Sequence, residues 1–309
     1  MTVSSTKKPG PDERSRSYLL AGRPVEAPSL PEGLYLVATP IGNLRDVTLR
    51  ALEVLAAADV IACEDSRVTR KLLDHYGIRT PLTPYHEHNA AEARPRLLAR
   101  IEAGEAIALV SDAGTPLVSD PGYKLVREAR EAGIAVVPIP GASALLAALT
   151  AAGLPTDRFY FEGFLPARSA ARTARLQELA PRGETLVFYE STNRLGDTLT
   201  DAIAVFGPER PAAVGRELTK LHETVYRGSL AEVRAAVLAD PGGDRGECTW
   251  LLAGSGAEKT TDEAELARVV GILAAELPAS QAASLAARLT GASRKAAYRL
   301  ASGQAPAED

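Results

Sequence analysis

Three segments of the chain combine glycine, proline and small hydroxyl residues in a way that suits ligand binding. They are Thr39-Pro40-Ile41-Gly42-Asn43-Leu44, the run Ser111-Asp112-Ala113-Gly114-Thr115-Pro116 continuing through Asp120 to Gly122, and Pro140-Gly141-Ala142-Ser143-Ala144. Glycine allows positive φ and a close approach of backbone to ligand, and proline fixes the path of the chain in advance. Bare N–H and C=O groups are then held in place, which suits an adenosine and an amino-acid moiety. None of the three is G-x-G-x-x-G followed by an acid, and none is G-x-x-x-x-G-K-[ST]. A nicotinamide dinucleotide site and a P-loop are therefore disfavoured.

Charged residues that could move protons or bind phosphate form separate groups. Glu64-Asp65 with Arg67 could supply a base and its orienting partner, or a helix N-terminal pair that suits the macrodipole. His86 and His88 flank Glu87; histidine titrates near neutrality and suits a general base, or is simply solvated. Glu190, Arg194, Arg216, Glu217 and Lys220 follow later apolar runs and could approach a cleft, contact phosphate or pair with one another. Arg168, Arg172, Arg175 and Arg182 make one segment basic, with Glu178 opposing. Arg288, Arg294, Lys295 and Arg299 fall in a stretch, 277–306, that carries no acid. Both basic segments are candidates for local contact with nucleic acid.

The elements that must position these groups follow from hydrophobic periodicity. Strand-like runs near 34–38, 59–63, 106–110 and 134–139 alternate with helical patterns over 47–57, 66–76, 91–102, 121–132 and 142–152. Ser66 is the expected cap of the second helix, and Pro95 fits the third only within its first turn. The alternation predicts an α/β domain with a mainly parallel sheet. Each glycine-rich loop then follows a strand, where ligands of open α/β sheets bind. A second α/β set spans 154–254, with strands near 159–164, 185–189, 212–216, 223–227 and 248–253. The expected organisation is a flexible N-terminal tail (1–32), an N-terminal α/β domain (33–153), a C-terminal α/β domain (154–254), a linker and helix (255–276) and a basic helix-turn-helix-like tail (277–306). In that tail Ser280 and Ser293 are the expected helix caps.

Bulk properties bound the function. A length of 309 residues accommodates two domains with substantial cores. The net charge of −4 excludes a global basic field, so any RNA must be met by local patches. Cys63 and Cys248 are far apart and form no C-x-x-C pair; the expectation is two buried thiols in a cytoplasmic, reducing setting. No metal site and no membrane span are expected, and the N-terminus has no apolar signal core.

The segments TPIGNLRDVTLRA (39–51), EDSR (64–67), YHEHN (85–89), SDAGTPLVSDPG (111–122) and PGASA (140–144) resemble the tetrapyrrole-methylase superfamily. FEGFLP (161–166), FYESTNR (188–194), GRELTK (215–220) and HETVYRG (222–228) are similar to its bacterial branch that 2′-O-methylates a cytidine of 16S ribosomal RNA. The resemblance runs from about 34 to 254, and the tail resembles that branch's helix-turn-helix appendage. It implies two α/β domains with S-adenosylmethionine in the cleft between them, a homodimer and no metal. It also implies that the 111–116 and 140–144 loops hold the cofactor and that the 39–43 loop, with Pro40 and Gly42, borders the same cleft. Methyl transfer to a ribose hydroxyl would use a base, for which Glu64, Asp65, His86 and Lys220 are candidates, with Arg67 beside them. The cofactor loops alone leave open a methyltransferase of the same fold acting on a tetrapyrrole or a protein side chain. A non-catalytic RNA-binding ribosome-assembly factor that has kept the cleft is a further alternative.

Overall fold

A computed structural model describes residues 16–255 and 263–302. Most of the expected linker (256–262) and the first 15 residues of the expected tail lie outside the described residues.

The first sheet is built from β3 (Gly33–Val37), β4 (Val60–Cys63), β5 (Leu82–Pro84), β6 (Ala106–Val110) and β7 (Val136–Ile139). It is parallel throughout, in the order β5-β4-β6-β3-β7. Helices α1 (Leu49–Ala57), α2 (Ser66–His75), α3 (Ala90–Glu102) and α4 (Tyr123–Glu131) connect the strands, and α5 (Ala144–Ala152) follows β7. Apolar clusters on the two faces of the sheet account for its continuous hydrophobic strands. Because β6, β3 and β7 are neighbours, the three glycine-rich loops emerge side by side at the carboxyl edge.

The second sheet is mixed. Its strands are β8 (Phe159–Phe164), β9 (Thr185–Ser191), β10 (Pro211–Arg216), β11 (Thr224–Ser229) and β12 (Glu247–Leu252), in the order β11-β10-β12-β9-β8. Only the β8–β9 pair is parallel. Outside one irregularity in β8, side chains alternate between its faces. Leu186, Phe188, Ala212, Val214, Cys248, Trp250 and Leu252 face a core shared with α6 (Ser169–Leu179), α7 (Thr192–Phe206) and α8 (Leu230–Ala239). Val187, Ala213 and Leu251 face the other way and pack on Leu145, Ala148 and Leu149 of α5. Helix α5 thus belongs to the first domain by chain order and covers the second sheet by packing. Where it stops covering that sheet, a cleft opens.

The segment expected as a flexible tail is partly a hairpin. Strands β1 (Ser17–Leu20) and β2 (Arg23–Glu26) pair antiparallel. Tyr18 is buried in the first core, and the Leu19 N–H donates to the Tyr76 carbonyl at 2.7 Å. The anchors are distant in sequence, so local composition hides them. Three smaller corrections have local causes. Asp65, not Ser66, caps α2 by accepting from the Arg67 N–H at 2.8 Å. Pro95 lies beyond the first turn of α3, so the ladder loses one N–H there. The 82–84 segment, which periodicity does not mark as a strand, is the edge strand β5, where the missing donor of Pro84 is tolerated.

Helices α9 (Glu263–Ala274), α10 (Ala279–Thr290) and α11 (Arg294–Ala301) share their own small core of Leu266, Val270, Ala283, Ala286 and Ala297. Ser293 caps α11 as expected, accepting from the Ala296 N–H, and Gly291 ends α10 in the left-handed conformation. Helix α10 begins at Ala279 behind Pro278, one residue before Ser280, whose expected capping role is not needed. Among the described residues, no helix is long and apolar enough to cross a membrane, and no group of three or more His, Cys, Asp or Glu could hold a metal ion.

Candidate active site

The cleft is a cavity of about 380 Å³ between the two α/β units. The first unit contributes its loops, which are tied to one another. Thr39 and Gly114 exchange backbone hydrogen bonds of 2.9 and 3.0 Å, and the Thr39 hydroxyl donates to the Ser111 carbonyl at 3.3 Å. The Thr115 hydroxyl donates to the Ala142 carbonyl at 3.1 Å, joining the second loop to the third. Gly141 lies so close to the first loop that a Cβ there would stand 2.9 Å from Ala38 Cβ. Asp112, Ala113, Gly114, Thr115 and Ser143 line the cavity. Pro40, Gly42, Ser111, Pro116, Pro140, Gly141 and Ala142 are not among its lining residues; several of them brace those that are.

The second unit contributes one row of its sheet. Phe164 pairs with Tyr189, Tyr189 with Thr249, and Thr249 with Gly215, so the four lie abreast on the face that α5 leaves open. All four line the cavity.

The loop after β10 is held by an unusual set of contacts. Glu217 and Thr219 adopt positive φ of 51° and 68°. Leu117 and Ser119, in the second glycine-rich loop, do the same at 73° and 66°. Such conformations cost energy and persist where the surroundings over-determine them, commonly at functional sites. Here three glycines receive the loop. A Cβ on Gly215 would stand 3.0 Å from Leu218, one on Gly246 2.1 Å from the Glu217 carboxylate, and one on Gly42 2.3 Å from Lys220 Cγ. Lys220 therefore reaches across the cleft and lies on the first loop. Its ammonium donates to Glu217 at 2.8 Å and to Glu247 at 3.1 Å. Burial disfavours the charged form, but these two carboxylates outweigh it and hold the Lys220 pKa above its ordinary value. Lys220 is a fixed cation and not a proton acceptor at neutral pH, which corrects its candidacy as the base.

The other expected catalytic residues do not line the cavity. Strand β4 is one place further from the cleft than β6, and β5 is further still. Asp65 is a helix cap paired with Arg67, which lowers its pKa to about 2; the Arg67 side chain is otherwise in solvent. Glu64 is pushed up by burial first and then by Asp112 and Asp120, with His86 opposing. The coupling to the cleft runs through Asp112, whose carboxylate accepts from the Asp65 N–H at 2.9 Å.

Within the cavity, Asp120 is a part-buried carboxylate beside Ser111 and Asp112. Burial pushes its carboxyl above the ordinary range, Ser111 pulls it partly back, and Asp112 adds to the rise. Glu190 also lines the cavity, but its oxygens already accept from the Ser191 N–H, the Thr198 hydroxyl and Arg194. Asp120 lies inside the loop singled out from sequence, but the adjacent pair Glu64-Asp65 is the more conspicuous signal.

Of the expected RNA-contacting arginines on α6, Arg172 is 4% exposed and bonded to Asp201 at 2.7 Å, so it is a structural clamp rather than an RNA contact. Arg175 is committed to Glu162 and Glu178. Arg168 is exposed at the start of the helix. Arg288, Arg294, Lys295 and Arg299 are all exposed on α10 and α11, with no ion pair among the described residues.

Residues 33–234 match the family of Tetrapyrrole (Corrin/Porphyrin) Methylases. The chain belongs to this family. Residues 260–304 of this methylase match the RsmI C-terminal HTH domain. It is 53% identical over 277 residues to "Ribosomal RNA small subunit methyltransferase I" of Mesorhizobium japonicum (strain LMG 29417 / CECT 9101 / MAFF 303099), covering 89% of this chain and 93% of that relative. Among solved structures, the methylase is similar in fold to CbiF, a cobalt precorrin-4 methyltransferase, with a TM-score of 0.55 at 19% identity, covering 71% of this chain and 94% of that one. It is also similar to uroporphyrin-III C-methyltransferase of Thermus thermophilus complexed with S-adenyl homocysteine, with a TM-score of 0.51 at 23% identity, covering 72% and 97%.

Proposed function

We propose that this chain is an S-adenosylmethionine-dependent methyltransferase of small-subunit ribosomal RNA that methylates the 2′-hydroxyl of a cytidine. The observation that carries this reading is the 53% identity, across nearly all of its length, to a relative named as a ribosomal RNA small subunit methyltransferase. The RsmI-type C-terminal domain separates it from the tetrapyrrole methylases that share its fold.

The cleft suits the cofactor. Its volume falls in the range of small-molecule sites. Among the described residues lining it, the acids Asp112, Asp120, Glu190, Glu217 and Glu247 face one cation, Lys220. An acidic, partly desolvated cleft attracts a positively charged ligand and favours it over its neutral product. When bound, S-adenosylmethionine supplies a methyl group activated by a positive sulfur. The chain's own residues must then orient the acceptor hydroxyl, take its proton and exclude water. Asp120 takes the proton. Lys220 provides the positive charge that favours an oxyanion, and its contacts with Gly42, Glu217 and Glu247 fix it before substrate arrives.

The exposed basic residues of α10 and α11 supply local positive charge on a chain that is acidic overall. Deleting 277–309 is expected to weaken binding of 16S ribosomal RNA at least tenfold. It should also reduce the slope of log affinity against log salt by about 3 if all four cations meet phosphate. Cofactor affinity should not change, because these helices have their own core. Filter binding at several salt concentrations tests this; equal affinity and slope in the truncated protein would remove the tail from the RNA interface.

A further inference from the structure

The geometry points to Phe164 as the platform on which the base of the target nucleotide stacks. The inference rests on the RNA-methyltransferase reading above.

Phe164 closes the row Phe164–Tyr189–Thr249–Gly215 at the edge of the second sheet. It reaches that position through an irregularity. Between Phe161 and Gly163 the register with β9 slips by one residue, so that Gly163 pairs with Phe188 and Phe164 with Tyr189. In a regular ladder Gly163 would pair with Tyr189, and the row would end without a side chain. Bulges of this kind re-aim side chains next to active sites. Gly163 makes the bend possible with a φ of 78°, and a Cβ there would stand 3.2 Å from the Ser119 hydroxyl of the second cofactor loop.

The ring is oriented but not covered. It meets Tyr189 at 5.7 Å with planes at 60°, and Tyr189 meets Phe161 at 4.9 Å and 70°. Phe164 nevertheless stays 58% exposed while lining the cavity. A single exposed phenylalanine on a surface means little. One delivered by a bulge to a cavity wall, and held by an edge-to-face contact, presents a fixed aromatic surface to whatever enters.

The occupant follows from chemistry. A 2′-hydroxyl can enter the cleft only if its nucleotide leaves the stack, and an extruded base needs a flat apolar partner. Stacking tolerates any base, so Phe164 would hold the nucleotide without choosing it. The cofactor is the less suitable partner. Tyr189 is the aromatic that sits against Ser143 and Leu145 at the third loop, and Phe164 lies on the far side of it at the sheet edge.

The test compares Phe164→Ala, Phe164→Leu and Phe164→Trp with the wild-type protein. The readouts are methyl transfer to unmodified small ribosomal subunits and calorimetric binding of S-adenosylhomocysteine. Alanine should lower kcat/KM roughly ten- to hundredfold, mainly through KM for the subunit. Tryptophan should restore it and leucine should not. Melting temperature and S-adenosylhomocysteine affinity should match wild type in all three. Unchanged kinetics in the alanine variant, or full rescue by leucine, would overturn the assignment. A loss of S-adenosylhomocysteine affinity would also overturn it, by moving the ring to the cofactor. A wild-type protein that binds S-adenosylhomocysteine but methylates no RNA is a distinct result, which overturns the function and this assignment with it.

Discussion

Replacing Gly42 with alanine is expected to cut methyl transfer by about a hundredfold while the protein stays folded. The added Cβ would sit 2.3 Å from Lys220 Cγ and 2.9 Å from Cε, so the whole side chain must leave its track and cannot merely swing its tip. Leaving breaks the ammonium contacts to Glu217 and Glu247 and removes the cleft's fixed cation. A displacement of about 1 Å in a positioning group can cost about 10²-fold in rate. Gly42 itself is exposed in a loop, so the fold should persist, with a modest drop in melting temperature from placing alanine at a φ of 157°. The cause can be isolated by a double-mutant cycle. On a Lys220→Ala background the Gly42→Ala change should cost much less, because the two changes remove the same contact and leave only the strain of an alanine at a φ of 157°. Full activity in Gly42→Ala, or the same loss with and without Lys220, would separate the glycine from the lysine.

Asp120→Asn should lower kcat by 10²- to 10⁴-fold, the usual contribution of a positioned general base. The pH profile carries the more specific signature. Burial holds the Asp120 carboxyl above the ordinary aspartate range. Its basic form therefore appears, and the rate rises, as pH climbs through that raised value. Asparagine has no such titration, so the acid limb of kcat should vanish with the variant. An Asp120→Asn protein with wild-type kcat, or one that keeps the same acid limb, would assign the proton transfer elsewhere. Glu190 would be the next carboxylate to test, although its bonds to Ser191, Thr198 and Arg194 mark it as structural.

The parts of this protein legible in its sequence are those where local pattern and final packing agree. Apolar runs such as 106–110 and 185–189 are buried strands, and Ser293 and Gly291 punctuate the C-terminal helices as their types suggest. The glycine-rich loops were legible as neighbours at one cleft because parallel strands deliver their following loops to one edge. What stayed hidden depends on pairings between distant segments. The β1–β2 hairpin is anchored by Tyr18 in a core made elsewhere, so its prolines and polar residues read as a tail. The order β5-β4-β6-β3-β7 places Glu64-Asp65 beside the cleft and not in it, and periodicity carries no information on strand order. Gly42 and Lys220 meet although one belongs to each domain. The row that ends on Phe164 depends on a one-residue slip of register. Arginine spacing on α6 likewise could not reveal that Asp201 buries Arg172.

On the function proposed above, this cleft transfers a methyl group to a ribose hydroxyl of small-subunit RNA. Its most direct test incubates the purified protein with methyl-labelled S-adenosylmethionine and small ribosomal subunits that lack the modification, then digests the 16S RNA to nucleosides. Label is expected in a 2′-O-methylated cytidine. Label in a base, in a ribosomal protein or nowhere, from protein that demonstrably binds the cofactor, would contradict it.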